Sequence, residues 1–324
     1  MSALPSTHDP DQRKRLMAAG IGNFMEWFDF AIYGFFATAI GANFFPSSSP
    51  TASLLSTLAV YGVAFLMRPV GGMVIGAIGD RRGRRFALML SVVSMGVGTA
   101  MIAILPPYTA IGVAAPILLV LLRCVQGFSA GGEWTGSAAF LVESAPAHRR
   151  GLTASVIPTT AALAVSVGAG VALLVETTVP AAAIVSWGWR LPFLAAFPLT
   201  LAGLYLRVKL DDTEVFRAIQ ARGAVSDTPI RAVAQTQRRS IAISFGLSAI
   251  TVLGFYYIAT YVMTFLITTG EMKRFPALTV VAIGAVIYAG LCLMMGAWSD
   301  RVGRRPVSLL GGAGLAVCAS RPSF

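Results

Sequence analysis

The sequence predicts an all-α membrane protein, and three observations carry the prediction. Of 324 residues, 56% are hydrophobic and 12% charged, with a mean hydropathy of +0.74. Soluble domains carry about 25% charge, and disordered chains have low hydrophobicity; both classes are a poor match. The charges are also clumped, leaving long uncharged tracts between them. These tracts reach the length of about 20 apolar residues that an α-helix needs to cross the hydrocarbon layer. Barrel strands alternate apolar and polar residues over only about 10 positions, so a β-barrel is disfavoured.

In chain order, residues 1–16 form a polar tail (MSALPSTHDPDQRKR and the residue after it). The tract that follows is too long for a signal-peptide core of about 7–15 residues and carries Glu26 and Asp29. Helices are expected at 17–45, 53–79, 86–105, 111–143, 152–175 and 187–206, a first bundle of six within 17–206. A polar stretch at 207–239 follows, containing LDDTEVFRAIQARG, which suits a short amphipathic surface helix. Two more full spans are expected at 240–270 and 275–297, and a short one begins at 306. Residues 240–324 thus read as an incomplete second bundle of helices 7, 8 and part of 9.

Lysine and arginine sort the connections into two sets. The tail, the loops around 81–85, 149–150 and 301–305, and the stretch 207–239 hold 19 of the 25. The opposite connections hold Arg190, Lys273 and Arg274. The positive-inside rule places the richer set, and the N-terminus, in the cytoplasm. Loop topology therefore accounts for the net charge of +11 better than nucleic-acid binding does.

Other classes find little support. Cys124, Cys292 and Cys318 sit in apolar tracts and suggest no disulfide framework. His8 and His148 give no metal-site spacing, and no GxxxxGK[ST] phosphate loop is present. No cofactor, metal site or enzymatic nucleophile–base cluster is expected. A passive pore would want a continuous hydrophilic lining, and none is visible.

An internal repeat sharpens the picture. GAIGDRRGRR (76–85) and GAWSDRVGRR (296–305) match at seven of ten positions, 220 residues apart. The shared residues are Gly76, Asp80, Arg81, Gly83, Arg84 and Arg85 in the first copy and Gly296, Asp300, Arg301, Gly303, Arg304 and Arg305 in the second, with an alanine after the first glycine of each. Repeats of this kind suggest two related bundles. Asp80 or Asp300 could cap a helix N-terminus or hold an arginine, so the loops could clamp helix ends in one access state. The bland alternative is basic topology signal.

With that loop pattern stand GNFMEWFDFAIYGF (22–35), FLMRPVGG (65–72), RCVQGFSAGGEWTG (123–136) and WGWRLPF (187–193). Together they resemble the major facilitator superfamily, and within it the metabolite:proton symporters, whose members carry proline and betaine, α-ketoglutarate, citrate or shikimate. The resemblance covers about residues 13–310. It implies the fold of that superfamily, with two six-helix halves rocking around a central site. It also implies a cell-membrane transporter that moves a small organic metabolite, a carboxylate or a zwitterion, together with a proton.

Ionisable residues inside spans are costly and mark candidate sites. From the expected cytoplasmic helix ends, Glu26, Asp29, Arg68 and Glu133 lie about 14–18 Å along their helices, a depth typical of transporter sites. Glu26 and Asp29 share a helical face and resist being ionised together. They could couple a proton to transport or form structural ion pairs with Arg68, and the same alternatives hold for Glu133. Glu143 is expected to pair with Arg149 or Arg150. Arg123 lies about 30 Å from Glu143 along its helix, toward the outer face. There it could snorkel or attract a substrate carboxylate, with Gln126 lining the same route. Tyr257 and Tyr261, four apart in GFYYIATYVMTFL, could line the solute path or simply pack.

Uniport, antiport, a passive pore and a non-functional fragment remain alternatives to proton symport. A second half matching the first would carry the chain past roughly residue 400. A C-terminally truncated chain is therefore expected, one that transports poorly by itself.

Overall fold

The computed structural model of the chain describes residues 10–209, 214–221, 236–256, 262–268 and 270–319. Within them the regular structure is helical. The helices are α1 Pro10–Phe35, α2 Ala37–Phe44, α3 Pro50–Arg82, α4 Arg84–Ile104, α5 Tyr108–Ile111 and α6 Ala114–Ser144, followed by α7 Arg150–Ala154, α8 Val156–Thr178, α9 Ala181–Ala183 and α10 Arg190–Val208. After these come α11 Glu214–Ala221, α12 Arg238–Tyr256, α13 Val262–Thr268, α14 Arg274–Val302 and α15 Arg304–Ala319.

Local chemistry sets the breaks. Ser49 caps α3 by accepting from the Ala52 N–H, and Pro50 follows at the first helical position, where its missing N–H costs nothing. Gly83 separates α3 from α4 at φ 99°, and Gly303 separates α14 from α15 at φ 94°. Both angles lie where a side chain would be strained, so the two motif copies break the backbone in the same way. The tract expected as one helix over 17–45 divides at Phe36 into α1 and α2.

Eight full spans were expected. Among the described residues six helices are long and apolar enough to cross a membrane: Pro50–Arg82, Arg84–Ile104, Ala114–Ser144, Ala147–Thr178, Arg190–Val208 and Phe275–Val302. The 26-residue α1 is long enough, but Glu26, Asp29 and its basic first turns lower its hydropathy. The helix expected over 240–270 is described as α12 and α13, with 257–261 outside the described residues. Tyr257 and Tyr261 fall there.

Packing brings the site helices into register. Gly71, Gly127 and Gly131 let α3 and α6 meet backbone to backbone. A Cβ on Gly127 would fall 1.9 Å from the Ala64 carbonyl oxygen, and one on Gly131 1.9 Å from that of Arg68. α1 packs against α6, α8 and α10, and α4 against α6 and α10. At one end Arg190 donates to the Ala103 and Leu105 carbonyls at 3.0 and 2.9 Å, tying α10 to the end of α4. Phe44, Trp189 and Phe193 pack beside it. Outward-facing leucines, isoleucines and phenylalanines such as Leu66, Ile104 and Phe197 stay exposed, as suits a surface whose solvent is lipid.

α14 packs along α8. Ser166 Oγ donates to the Ala282 carbonyl at 3.0 Å and Thr159 Oγ1 to the Ala289 carbonyl at 3.3 Å. The amphipathic helix expected after α10 is α11, with Phe216 buried on its inner face.

Candidate functional site

Three carboxylates are buried in the bundle formed by α1, α3, α4, α6 and α10, each against its own arginine. They differ in how well they are satisfied.

Glu133 of α6 meets Arg207 of α10. Both Arg207 Nη atoms donate to the carboxylate, Nη1 at 2.8 Å and Nη2 at shorter range. Ser91 Oγ and Ser137 Oγ donate as well, at 2.5 and 2.8 Å. Arg207 also donates to the carbonyls of Leu88 and Ala18. A Cβ on Gly22 would land 1.8 Å from Arg207 Nη2, so the glycine makes room for the pair. Sequence reasoning missed Arg207 because it sits one residue from the end of α10, beside a basic stretch, and reads as topology charge.

Asp29 of α1 meets Arg123 and Gln126 of α6 and Thr99 of α4. Arg123 Nη1 donates to Oδ2 at 2.7 Å. Thr99 Oγ1 and Gln126 Nε2 donate to Oδ1 at 2.8 and 3.0 Å. The Arg123 guanidinium lies 3.6 Å from the Tyr33 ring centroid. Arg123 therefore does not snorkel to the headgroups: it is 0% exposed, and Gln126 joins it on the same carboxylate. The depth expectation misplaced the two because α1 starts at Pro10 rather than 17. Counted from the described ends, Asp29 lies about 28 Å along α1 and Arg123 about 31 Å along α6, so they are level.

Glu26 of α1 meets Arg68 of α3, with Nη2 2.8 Å from Oε1. The nitrogen is near but out of line, and neither Glu26 oxygen accepts a hydrogen bond. Arg68 instead rests on aromatic rings, with its Cζ 4.6 Å from the centroids of Phe30 and Phe65 and 5.3 Å from Trp27. Trp134 stacks edge-on against Trp27 at 5.9 Å. Glu26 and Asp29, three residues apart, are thus drawn to different arginines on different helices.

A narrow cavity between α1, α4 and α6 joins two of the three carboxylates. Its walls include Glu26, Ser91, Ser129 and Glu133, and Ser129 Oγ is buried without a hydrogen-bond partner. Among the described residues, no three His, Cys, Asp or Glu side chains gather as a metal site would require.

The loop repeats lie at one end of the bundle. In the first copy Asp80 pairs with Arg84 at 2.8 Å, and Arg84 reaches Glu143 at 3.2 Å. Glu143 thus finds a partner on α4, beyond the Arg149 and Arg150 turn where one was expected. Arg85 donates to the Val208 carbonyl. In the second copy Asp300 accepts from the backbone N–H groups of Gly151 and Leu152, each at 2.8 Å, and from Arg304 at 2.7 Å. Gly296 and Gly151 approach so closely that a Cβ on Gly296 would fall 2.8 Å from the Gly151 carbonyl oxygen. Gly76 faces open space, and Arg301 and Arg305 are exposed.

Known proteins resemble this chain in sequence and fold. The pattern of the Major Facilitator Superfamily matches residues 19–320. The chain is 38% identical to the proline/betaine transporter of Escherichia coli K12 over 98% of its own length and 65% of that protein's. It is 36% identical to the alpha-ketoglutarate permease of the same organism, over 94% of this chain and 70% of that one. Among solved structures it resembles the xylose transporter XylE from E. coli in a partially occluded inward-open conformation. That likeness has a TM-score of 0.68 at 19% identity and covers 92% of this chain and 73% of that one. The chain spans less than two thirds of the length of the proline/betaine relatives.

Proposed function

The chain belongs to the Major Facilitator Superfamily, and from that premise we propose that it serves proton-coupled symport of a small organic carboxylate or zwitterion by alternating access. The observation that carries the reading is the unequal satisfaction of three buried carboxylates within one bundle. Asp29 and Glu133 are held by arginines and hydroxyls and suit structural anchoring of the helices. Glu26 has a counter-charge but no hydrogen bond, and it lines a cavity. A buried carboxylate so placed can change charge without breaking a network, as a proton carrier must.

The loop repeat supplies the second half of the cycle. Asp300 ties α14 to the start of α7 through two backbone N–H groups. Releasing that tie separates the α14 end from the first bundle; forming it closes them together. Proton and solute binding would favour one of these arrangements. The basic loops would face the cytoplasm of a cell membrane, in keeping with the lysine and arginine distribution.

The test is uptake into proteoliposomes with and without an imposed pH gradient, using proline, glycine betaine, α-ketoglutarate and citrate. Uptake by the 324 residues, slow as it is expected to be, should rise with an inward proton gradient for one of them. Solute uptake indifferent to the gradient would overturn proton symport.

A further inference from the structure

Resting on the reading that this bundle carries a solute with a proton, we propose that Arg68 is the receptor for the solute's carboxylate, and that a proton on Glu26 frees it for that role. Arg68 alone among the three site arginines retains solvent exposure, its side chain being 19% exposed against 0% for Arg123 and 1% for Arg207. Its Nε and Nη2 have no hydrogen-bond acceptor. Charged donors left without acceptors in a poorly solvated site are costly. A carboxylate that aligns with the guanidinium fork supplies the two parallel bonds that Glu26 does not.

The surroundings suit this exchange. Aromatic faces hold a guanidinium through its π surface and leave its N–H edge for an acceptor, and Phe30, Phe65 and Trp27 stand in that relation to Arg68. Arg123 also keeps two nitrogens without acceptors, but it is sealed beneath Tyr33 and tied to Asp29. Arg207 donates from all three nitrogens.

The charges around Glu26 explain why it is the one to switch. On its own helix, Asp29 is already engaged by Arg123, Gln126 and Thr99. From α6, Glu133 faces the shared cavity but is held by Arg207 of α10, Ser91 of α4 and Ser137. From α3, Arg68 is the direct partner. With Glu26 ionised, Arg68 is neutralised and offers no field to an anion. A proton on Glu26 uncovers one positive charge, and a carboxylate restores neutrality. Proton and anion then enter together because each makes the other's binding favourable.

The proposal is tested by equilibrium binding of labelled glycine betaine and α-ketoglutarate to the full chain in lipid nanodiscs. Choline serves as the probe that lacks a carboxylate. One carboxylate probe should bind about tenfold more tightly in acidic than in alkaline buffer. Glu26→Gln should bind it tightly in both buffers, abolishing the dependence. Arg68→Gln should weaken it about tenfold or more in both, and choline should be indifferent to either change. A merely structural Arg68 would leave the pH dependence of Glu26→Gln at the wild-type level. That result overturns the proposal, as does wild-type affinity in folded Arg68→Gln or a Glu26→Gln chain that binds neither carboxylate. Thermal melting checks folding. Should Arg68→Gln not fold, Glu26→Gln decides alone.

Failure here is separable from failure of symport. Gradient-driven uptake with unaltered binding in both variants removes the role of Arg68 only. Glu26-controlled binding without gradient-driven uptake removes proton symport only.

Discussion

The Glu133–Arg207 and Glu26–Arg68 pairs use the same chemistry in the same bundle but are satisfied to opposite degrees. Glu133 receives four hydrogen bonds, and its arginine is also engaged by two backbone carbonyls. Glu26 receives none, and its arginine leans on aromatic rings. Burial of an ion pair is therefore a poor guide to its role. On the reading proposed above, the fully satisfied pair holds helices together, whereas the under-satisfied one leaves its carboxylate free to change charge. The same contrast recurs at the loop repeats, where Asp300 is committed to another element and Asp80 stays on its own motif.

The sharpest way to break the comparison is to remove one partner of the satisfied pair. Arg207→Met strands Glu133 in the bundle, and breaking a buried pair this way costs about 3–5 kcal/mol. The melting temperature of the purified chain in lipid nanodiscs should drop sharply. Gly22→Ala should act in the same direction, since its Cβ would overlap Arg207 Nη2. If Arg207→Met melted as the wild type does, the anchoring role would be untenable.

Next in size is the committed loop. Asp300→Ala removes two backbone caps and an arginine contact, worth about 1–3 kcal/mol together. It should also loosen the α7–α14 contact. A reporter Ser155→Cys, placed where Ser155 packs against Gly296, should then alkylate faster than in the chain with Asp300 intact. Unchanged labelling would show that the contact survives without its carboxylate.

A smaller effect is expected at the loose pair. Glu26→Gln leaves Arg68 without its counter-charge but loses no hydrogen bond, and Arg68 keeps its aromatic contacts and part of its exposure, so melting should fall less than in Arg207→Met, even as the pH dependence of binding disappears. A loss as large as that of Arg207→Met would erase the distinction between the two pairs.

Much of this was legible in the sequence because charge in an apolar tract demands a partner. Glu26, Asp29, Arg68 and Glu133 stand out on that ground alone, and the repeat glycines Gly83 and Gly303 announce the paired helix breaks. The partners were harder to read. Ser91, Thr99 and Ser129 are unremarked residues of apolar helices until a carboxylate faces them. Arg207 is masked by the basic stretch beyond it. Assigning Arg123 to Asp29 needed the described extent of α1, because seven residues shift a helix by about 10 Å. Pairings of this kind depend on axial register between helices, which hydropathy fixes only to within a few residues.

The first loop copy offers the smallest effect and the finest test of what the motif itself encodes. Asp80 is 40% exposed and reaches Arg84 just past the Gly83 break, while Asp300 is 8% exposed and reaches across to Gly151 and Leu152. The sequences agree at seven of ten positions, so the difference comes from what each carboxylate faces. A partly exposed ion pair between residues four apart contributes less than about 1 kcal/mol. Asp80→Asn should therefore leave melting and Ser155→Cys labelling close to wild type where Asp300→Ala changes both. If Asp80→Asn instead matched Asp300→Ala in both measurements, the two loops would be one coupled device, and the asymmetry would not reflect how each copy holds its helices.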